Sequence, residues 1–224
     1  MITVVLVEPE NEGNIGAVAR AMGNFDFKDL LLINPKCNHL NLDAISRAKH
    51  AKEILKKAKV RKFPFLKKFD YVIGTTAKTG NDYNILRIPL TPEELANKIS
   101  TKSKVALVFG RESDGLTNKE ILECDFIVKI PTADKYKTLN LSHSVSIMLY
   151  ELFKKKDKSD KTELASKKEK DILLEEISKI IKRSKFSTKE KEETQKKVWK
   201  KIVGKSMLTK REAFALIGFF KKIN

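Results

Sequence analysis

The sequence predicts an α/β domain built on a mostly parallel sheet with flanking helices, followed by a small α-helical module. Three observations predict it. Short, near-continuous apolar runs recur through the first two thirds of the chain, the pattern of strands covered on both faces. Helical patterns separate these runs, and β–α alternation builds parallel sheets. The last third carries amphipathic helical patterns and no strand pattern.

The strand candidates in order are Thr3–Val7, Asp29–Asn34, Tyr71–Thr75, Lys104–Gly110 and Phe126–Pro131, with a weaker one at Val60–Phe63. Thr91-Pro92-Glu93-Glu94 supplies an N-cap, a proline at the first helical position and a carboxylate at the third, so a helix starts there. Thr117-Asn118-Lys119-Glu120 is a second capping box. Leu141, Val145, Met148, Leu149 and Leu152 share one helical face. Residues 154–170 contain almost nothing apolar and read as a polar linker or a solvated helix. Beyond them Ile172, Leu173, Ile177, Ile180 and Ile181 form one helical face. Ser187-x-x-Glu190 is read as the cap of a second helix carrying Val198, Trp199, Ile202 and Val203. Thr209-x-x-Glu212 caps a third with Phe214, Leu216, Ile217, Phe219 and Phe220. The expected division is therefore 1–153, a linker at 154–170, and a helical module at 171–224.

The 224 residues include 46 Lys+Arg and 29 Asp+Glu, a net charge of +17. That charge is unevenly spread: residues 1–150 carry 23 basic and 17 acidic side chains, residues 151–224 carry 23 and 12. A basic excess points to a polyanion, either nucleic acid or an acidic membrane surface. No apolar run approaches the roughly 20 residues of a membrane span. The N-terminus lacks a basic region and reads directly as a strand, so no secretory signal is expected. Cys37 and Cys124 are too few for a disulfide framework or a zinc site, and an intracellular, reduced protein with no metal is the simplest reading.

Four loops carry candidate chemistry. After the first strand, Glu8-Pro9-Glu10-Asn11-Glu12-Gly13-Asn14-Ile15-Gly16 leads into a helix bearing Arg20. A Gly-containing turn opening a helix is a general anion- or cofactor-binding arrangement. It is neither the dinucleotide fingerprint nor a P-loop. The plain alternative is a helix cap and a surface arginine. Gly110-Arg111-Glu112-Ser113-Asp114-Gly115-Leu116 follows a strong strand, where ligands bind in open α/β sheets, or is an ordinary connection. Ile130-Pro131 through Lys137-Thr138-Leu139-Asn140-Leu141-Ser142-His143 ends a strand and opens a helix; Asn and Ser there are also common caps. Gly74-Thr75-Thr76-Ala77-Lys78 closes another strand. His143 reads as an incidental helix residue.

Together, in this order, NxGxxxR, GTTA, FGRE…GLTN and IP…TLNLSHSVS resemble the SpoU/TrmH branch of the SPOUT methyltransferases, most closely the TrmJ-type tRNA ribose 2′-O-methyltransferases. The resemblance spans about residues 3–153, and in the tail only Met207-Leu208-Thr209-Lys210-Arg211-Glu212-Ala213 matches. It implies a SPOUT fold with a C-terminal trefoil knot, S-adenosylmethionine as cofactor, a cytoplasmic homodimer and tRNA nucleotide 32 as target. By motif position it implies that Thr75, Thr76, Ala77, Gly110, Ile130, Lys137, Thr138 and Leu139 line the cofactor site. Lys137 stands where related sequences often have Ser. It implies catalytic roles for Asn14, Arg20, Glu112 and Asn140. A guanidinium is effectively always protonated, so Arg20 reads as a phosphate clamp and alkoxide stabiliser rather than a base. Glu112 then orients Arg20 or accepts a proton, and Asn14 and Asn140 position the ribose and the loop backbones.

The helical tail, net +11 over residues 151–224, is read as an RNA-backbone grip or as a solvated Lys-rich face. Three rival readings remain open: a ribosomal RNA methyltransferase of the same branch, a non-catalytic RNA-binding relative, and a nucleotide-dependent dehydrogenase. The missing dinucleotide fingerprint speaks against the last.

Overall fold

The first apolar run becomes β1 (Ile2–Val7), buried from Thr3 onward, and the turn after it opens α1 (Glu12–Asn24). Then come β2 (Asp29–Ile33), α2 (Leu42–Ala48), a 3-10 turn at Lys49–Ala51, α3 (Lys52–Lys56) and β3 (Lys59–Arg61). A second 3-10 turn, Phe63–Lys68, leads into β4 (Tyr71–Thr75). After it follow α4 (Pro92–Lys98), β5 (Val105–Phe109), α5 (Asn118–Glu123), β6 (Phe126–Val128) and α6 (Leu141–Lys154). This computed structural model describes residues 1–77, 89–99, 103–155, 163–184 and 186–224. Lys78, at the end of the fourth candidate loop, and residues 156–162 of the expected linker lie outside the described residues.

The sheet has six strands in the order β3-β2-β1-β5-β4-β6, and every pairing among the described residues is parallel. The steps β1→β2→β3 run one way across the sheet, whereas β5→β6 runs the other. Right-handed crossovers therefore put α1, α2 and α3 on one face and α5 on the opposite face. On the α5 face, Val5, Val7, Leu31, Ile33, Val72, Ala106, Val108 and Ile127 pack with Leu66, Phe69, Leu116, Ile121 and Cys124. On the other face α1 packs against α2 and α6, and α6 against α4. Gly16 is where α1 and α2 come closest: a Cβ there would lie 2.2 Å from the Ala44 carbonyl oxygen. The glycines of the first motif thus lie inside α1 and serve helix packing; they do not form a phosphate-cradling turn.

The chain reverses direction across the sheet between β1 and β5. That makes their carboxyl ends the topological switch point, where open α/β sheets place ligands.

The capping boxes at Thr91 and Thr117 form as the spacing predicts. The weak strand candidate shifts to Lys59–Arg61, because Phe63-Pro64 begins a 3-10 turn instead. The α2–α3 region carries no strong sequence periodicity, so no hydrophobic pattern marks it.

The chain clusters into two compact units, residues 1–159 and 160–224. The second holds α7 (Lys167–Arg183), α8 (Lys189–Ser206) and α9 (Lys210–Ile223) around Leu173, Ile177, Ile181, Val203 and Ile217. Trp199 meets Phe220 edge-on at 6.0 Å. This unit reaches further back than its apolar pattern suggests. Ser166 and Glu169 form a capping box, Ala165 is buried, and its N–H bonds the Leu208 carbonyl. The cap of α8 is Thr188, one residue after the Ser187 expected; the helix enters from Thr188 and its hydroxyl accepts the Lys191 N–H. At Thr209 the predicted capping box is present.

Candidate active site

Three of the four residues singled out for catalysis meet at the switch point. Asn140 is the N-cap of α6: its side-chain oxygen accepts the Ser142 N–H and the Ser142 hydroxyl, both at 2.8 Å. That duty turns its amide NH2 toward Asn14, whose oxygen accepts it at 3.2 Å. Asn14, in the first turn of α1, in turn donates to Glu112 Oε1 at 3.0 Å. A carboxylate only accepts, so Glu112 fixes the orientation of the Asn14 amide. The result is a directed relay, Asn140 to Asn14 to Glu112, joining loops that are 126 and 98 residues apart in sequence.

Residues the sequence reading passed over hold this relay. The Glu10 N–H donates to the other Glu112 oxygen at 2.9 Å. The Glu10 carboxylate accepts the Ser113 N–H at 3.2 Å and its hydroxyl at 3.0 Å. Arg111 donates to Glu8 at 3.2 Å, to both Glu120 oxygens at 3.0 Å, and to the Gly115 carbonyl at 3.2 Å. The loops after β1 and β5 are therefore zipped together at three consecutive positions. The hydrogen bond from Arg111 is the main cause holding the Glu8 carboxyl below the usual carboxylate range. Burial works to raise the Glu120 carboxyl, but bonds from Arg111 and Thr117 together overcome it and hold it low. The bond to Glu120 pushes the Arg111 guanidinium higher still. The sequence signal that could have pointed to Arg111 is its place directly after an apolar strand ending in glycine, where ligands bind in open α/β sheets.

Arg20 does not join the cluster. It is exposed, and no hydrogen bond or ion pair links it to Glu112 among the described residues. Six residues of helix carry it about 9 Å along α1 and about 120° around from Asn14. It lines a separate recess with the end of α1 and the Ala48–Lys57 segment. The expectation that Glu112 orients Arg20 is therefore not met within one chain.

The cofactor candidates fall at three adjacent strand ends. The Thr75 hydroxyl donates to the Val108 carbonyl at 3.1 Å and the Thr76 N–H to the Val128 carbonyl at 3.0 Å. The end of β4 is thus pinned to both neighbours. Gly110 ends β5 beneath the Arg111–Gly115 turn; a Cβ there would lie 2.1 Å from the Gly115 carbonyl carbon, so only glycine fits. Ile130 follows β6, and Lys137, Thr138 and Leu139 lead straight into Asn140. The Lys137 carbonyl accepts the Thr132 hydroxyl at 3.2 Å, and its ammonium lies 3.8 Å from Asp134. Ala77, Ile130 and Leu139 are half-buried. His143 is exposed and takes no part. Among the described residues no cluster of His, Cys, Asp or Glu could hold a metal ion.

Comparison with known proteins gives the chain's relatives. The SpoU rRNA Methylase family matches residues 1–150. The chain is 39% identical to a tRNA (cytidine-2'-O-)-methyltransferase TrmJ of Methanocaldococcus jannaschii, covering 99% of each. It is 34% identical to one of Sulfolobus acidocaldarius, covering 99% of this chain and 93% of that one. The crystal structure of TrmJ from Z. mobilis ZM4 superposes with a TM-score of 0.72 at 25% identity, covering 100% and 99% of the two chains. The family match over the unit that holds the relay and the three strand ends places the chain plainly: it belongs to the SpoU methylase family.

Proposed function

We propose that this chain transfers a methyl group from S-adenosylmethionine to the ribose 2′-hydroxyl of a cytidine in tRNA, at nucleotide 32 of the anticodon loop. The observation that carries the reading is the Asn140–Asn14–Glu112 relay at the switch point. Its support is likeness over nearly the whole chain to two proteins named for tRNA cytidine 2′-O-methylation. No helix among the described residues is long and apolar enough to cross a membrane.

The residues present fit the cofactor. An adenosine wants apolar walls and a few fixed polar groups. Half-buried Ala77, Ile130 and Leu139, with the backbones of Thr75, Thr76, Gly110, Lys137 and Thr138, offer both. When bound, S-adenosylmethionine would supply a sulfonium methyl to the ribose 2′-oxygen as the carbon–sulfur bond breaks, leaving S-adenosylhomocysteine, with the hydroxyl proton released to solvent. Asn14 and Asn140 hold the ribose and the loop that runs from Lys137 to Asn140. Glu112 acts through Asn14 and is a positioning residue. Arg20 clamps phosphate and stabilises charge developing on the attacking oxygen, a role suited to a permanent cation.

Because Arg20 lies around the helix from the relay, it serves the relay of a second copy of the chain in a homodimer. Exposed Ile147, Tyr150 and Phe153 on α6, with Phe25 against the last two, provide an apolar surface for that copy. Mixing inactive Arg20→Ala and Asn14→Ala chains then restores about a quarter of wild-type activity, since half the dimers are mixed and each holds one intact site. No recovery in subunits shown to exchange overturns the shared site.

The activity is tested by incubating the protein with labelled S-adenosylmethionine and either tRNA or ribosomal RNA, then mapping the modified ribose. Label at nucleotide 32 of tRNA is expected. The family's description names rRNA, so label on ribosomal RNA alone transfers the assignment to that substrate. Transfer to neither RNA leaves a non-catalytic RNA-binding protein.

A further inference from the structure

The recess that Arg20 enters is about 790 Å3 in volume and lies between the end of α1, the entry to β2 and the Ala48–Lys57 segment. That volume is within the range of small-ligand sites and suits a nucleotide-sized piece of a larger molecule. Four cations line it, Arg20, Lys28, Lys49 and Lys57, against two carboxylates, Asp26 and Glu53. Both carboxylates have lysine partners, Asp26 with Lys28 at 3.1 Å and Glu53 with Lys56 at 2.8 Å. Among the described residues no ion pair engages Arg20, Lys49 or Lys57. Lys57 acts on Glu53 only at a distance, and the lining as a whole keeps a net charge of +2.

The backbone adds an independent observation. Lys49 sits at φ 52°, ψ −117°, a conformation that glycine adopts freely and a lysine does only under strain. Asp26, on the other side of the recess, also has a positive φ of 57°. Glycine would relieve the strain at Lys49, so the ammonium there is held at a cost in stability, as happens at functional sites.

We propose that this recess binds the sugar-phosphate backbone of the RNA substrate, with Lys49 and Lys57 extending the phosphate contact of Arg20 outward from the relay that Arg20 serves in the second copy. The proposal rests on the reading that tRNA is the substrate. It is tested with the full chain and an unmodified tRNA transcript, measuring affinity against salt concentration for wild type, Lys49→Gly, Lys49→Gly/Lys57→Ala and Lys119→Ala. Lys119 is an exposed lysine on α5 and controls for net charge.

Removing one phosphate contact lowers affinity uniformly across sequences and makes the log–log salt slope shallower by about 1; the double variant loses about 2. Lys49→Gly also raises the melting temperature by roughly 2–4 °C as the backbone relaxes. Lower affinity in a more stable protein is an outcome that a merely structural lysine does not give. An unchanged slope in both lysine variants, with wild type still binding and methylating tRNA, overturns the recess and leaves the tRNA reading intact. An equal loss in Lys119→Ala overturns it too, because the effect is then net charge. A changed oligomeric state in light scattering overturns it in favour of a contact between copies. Failure of wild type itself to bind tRNA removes the substrate reading and the proposal with it.

Discussion

Replacing Arg111 with Met tests whether the loops around the relay are held by one guanidinium. Methionine keeps most of the side-chain volume, so the loss is electrostatic rather than a cavity. The substitution removes bonds to Glu8, to both Glu120 oxygens and to the Gly115 carbonyl. Arg111 and Glu120 are each 15% exposed and Glu8 24%, so the stranded carboxylates are only partly rehydrated. Breaking a fully buried pair costs about 3–5 kcal/mol. Here Glu120 keeps the Thr117 N–H at 2.7 Å and Glu8 keeps Lys36 at 3.4 Å, and both lie near the surface. A cost of about 2–3 kcal/mol is expected at pH 7, which lowers the melting temperature by roughly 5–10 °C. The pH dependence is the sharper test. Both carboxyls titrate below the value of 4.5 in the folded protein, so their contribution is full above about that pH and fades as pH falls through the folded values. The gap between wild type and variant in urea unfolding therefore stays level above about pH 4.5 and narrows below it. Arg111→Lys, which keeps charge without the fork, recovers part of it. A cost below about 1 kcal/mol, or a gap that holds constant or widens in acid, refutes the account.

Three further outcomes follow from the geometry. Gly110→Ala drives a Cβ onto the backbone of Gly115 and Leu116, which cannot swing aside; calorimetry should show a loss of several kcal/mol and activity should vanish with the displaced loop. Arg20→Ala, at an exposed helix position, should leave the fold and S-adenosylmethionine affinity nearly unchanged in calorimetric titration while abolishing methyl transfer; equal losses of affinity and rate would exclude its proposed role. Burial, with Glu12 and Glu112 nearby, pushes the Cys37 thiol up to about 11, so alkylation at pH 8 should run far slower than for a free thiol and accelerate only toward pH 11.

Much of the fold was legible because it is local. β1, β2, β4 and β5 are almost wholly buried, and burial on both faces writes itself as a continuous apolar run. The boxes at Thr91, Thr117 and Thr209 are short-range chemistry and appear where the spacing puts them. β3 was blurred for the opposite reason: it is a three-residue edge strand, Lys-Val-Arg, with every residue exposed, so no hydrophobic pattern marks it. The start of α7 was hidden because Ser166 and Glu169 cap a first turn that is otherwise Lys-rich. At Ser187 and Thr188 two neighbouring hydroxyls compete for one cap, and only backbone geometry decides between them.

The candidate site is a different case, since its chemistry depends on strand order. Residues 14, 112 and 140 converge because β5, fifth in sequence, inserts directly beside β1, and because α6 returns to pack on α1. No periodicity within a window encodes that adjacency; family resemblance named the residues without saying how they meet. Geometry then separates roles that a motif list merges. Asn14 and Arg20 belong to one NxGxxxR signature, yet the first faces the relay and the second faces a basic recess. The glycine between them is set by the Ala44 backbone of α2, so it reports helix packing rather than cofactor contact. A signature read as one catalytic element is thus three physical jobs on one helix. The two polar jobs lie too far apart around α1 to serve the same atom from a single chain. Under the proposed reaction, RNA or a second copy has to span them.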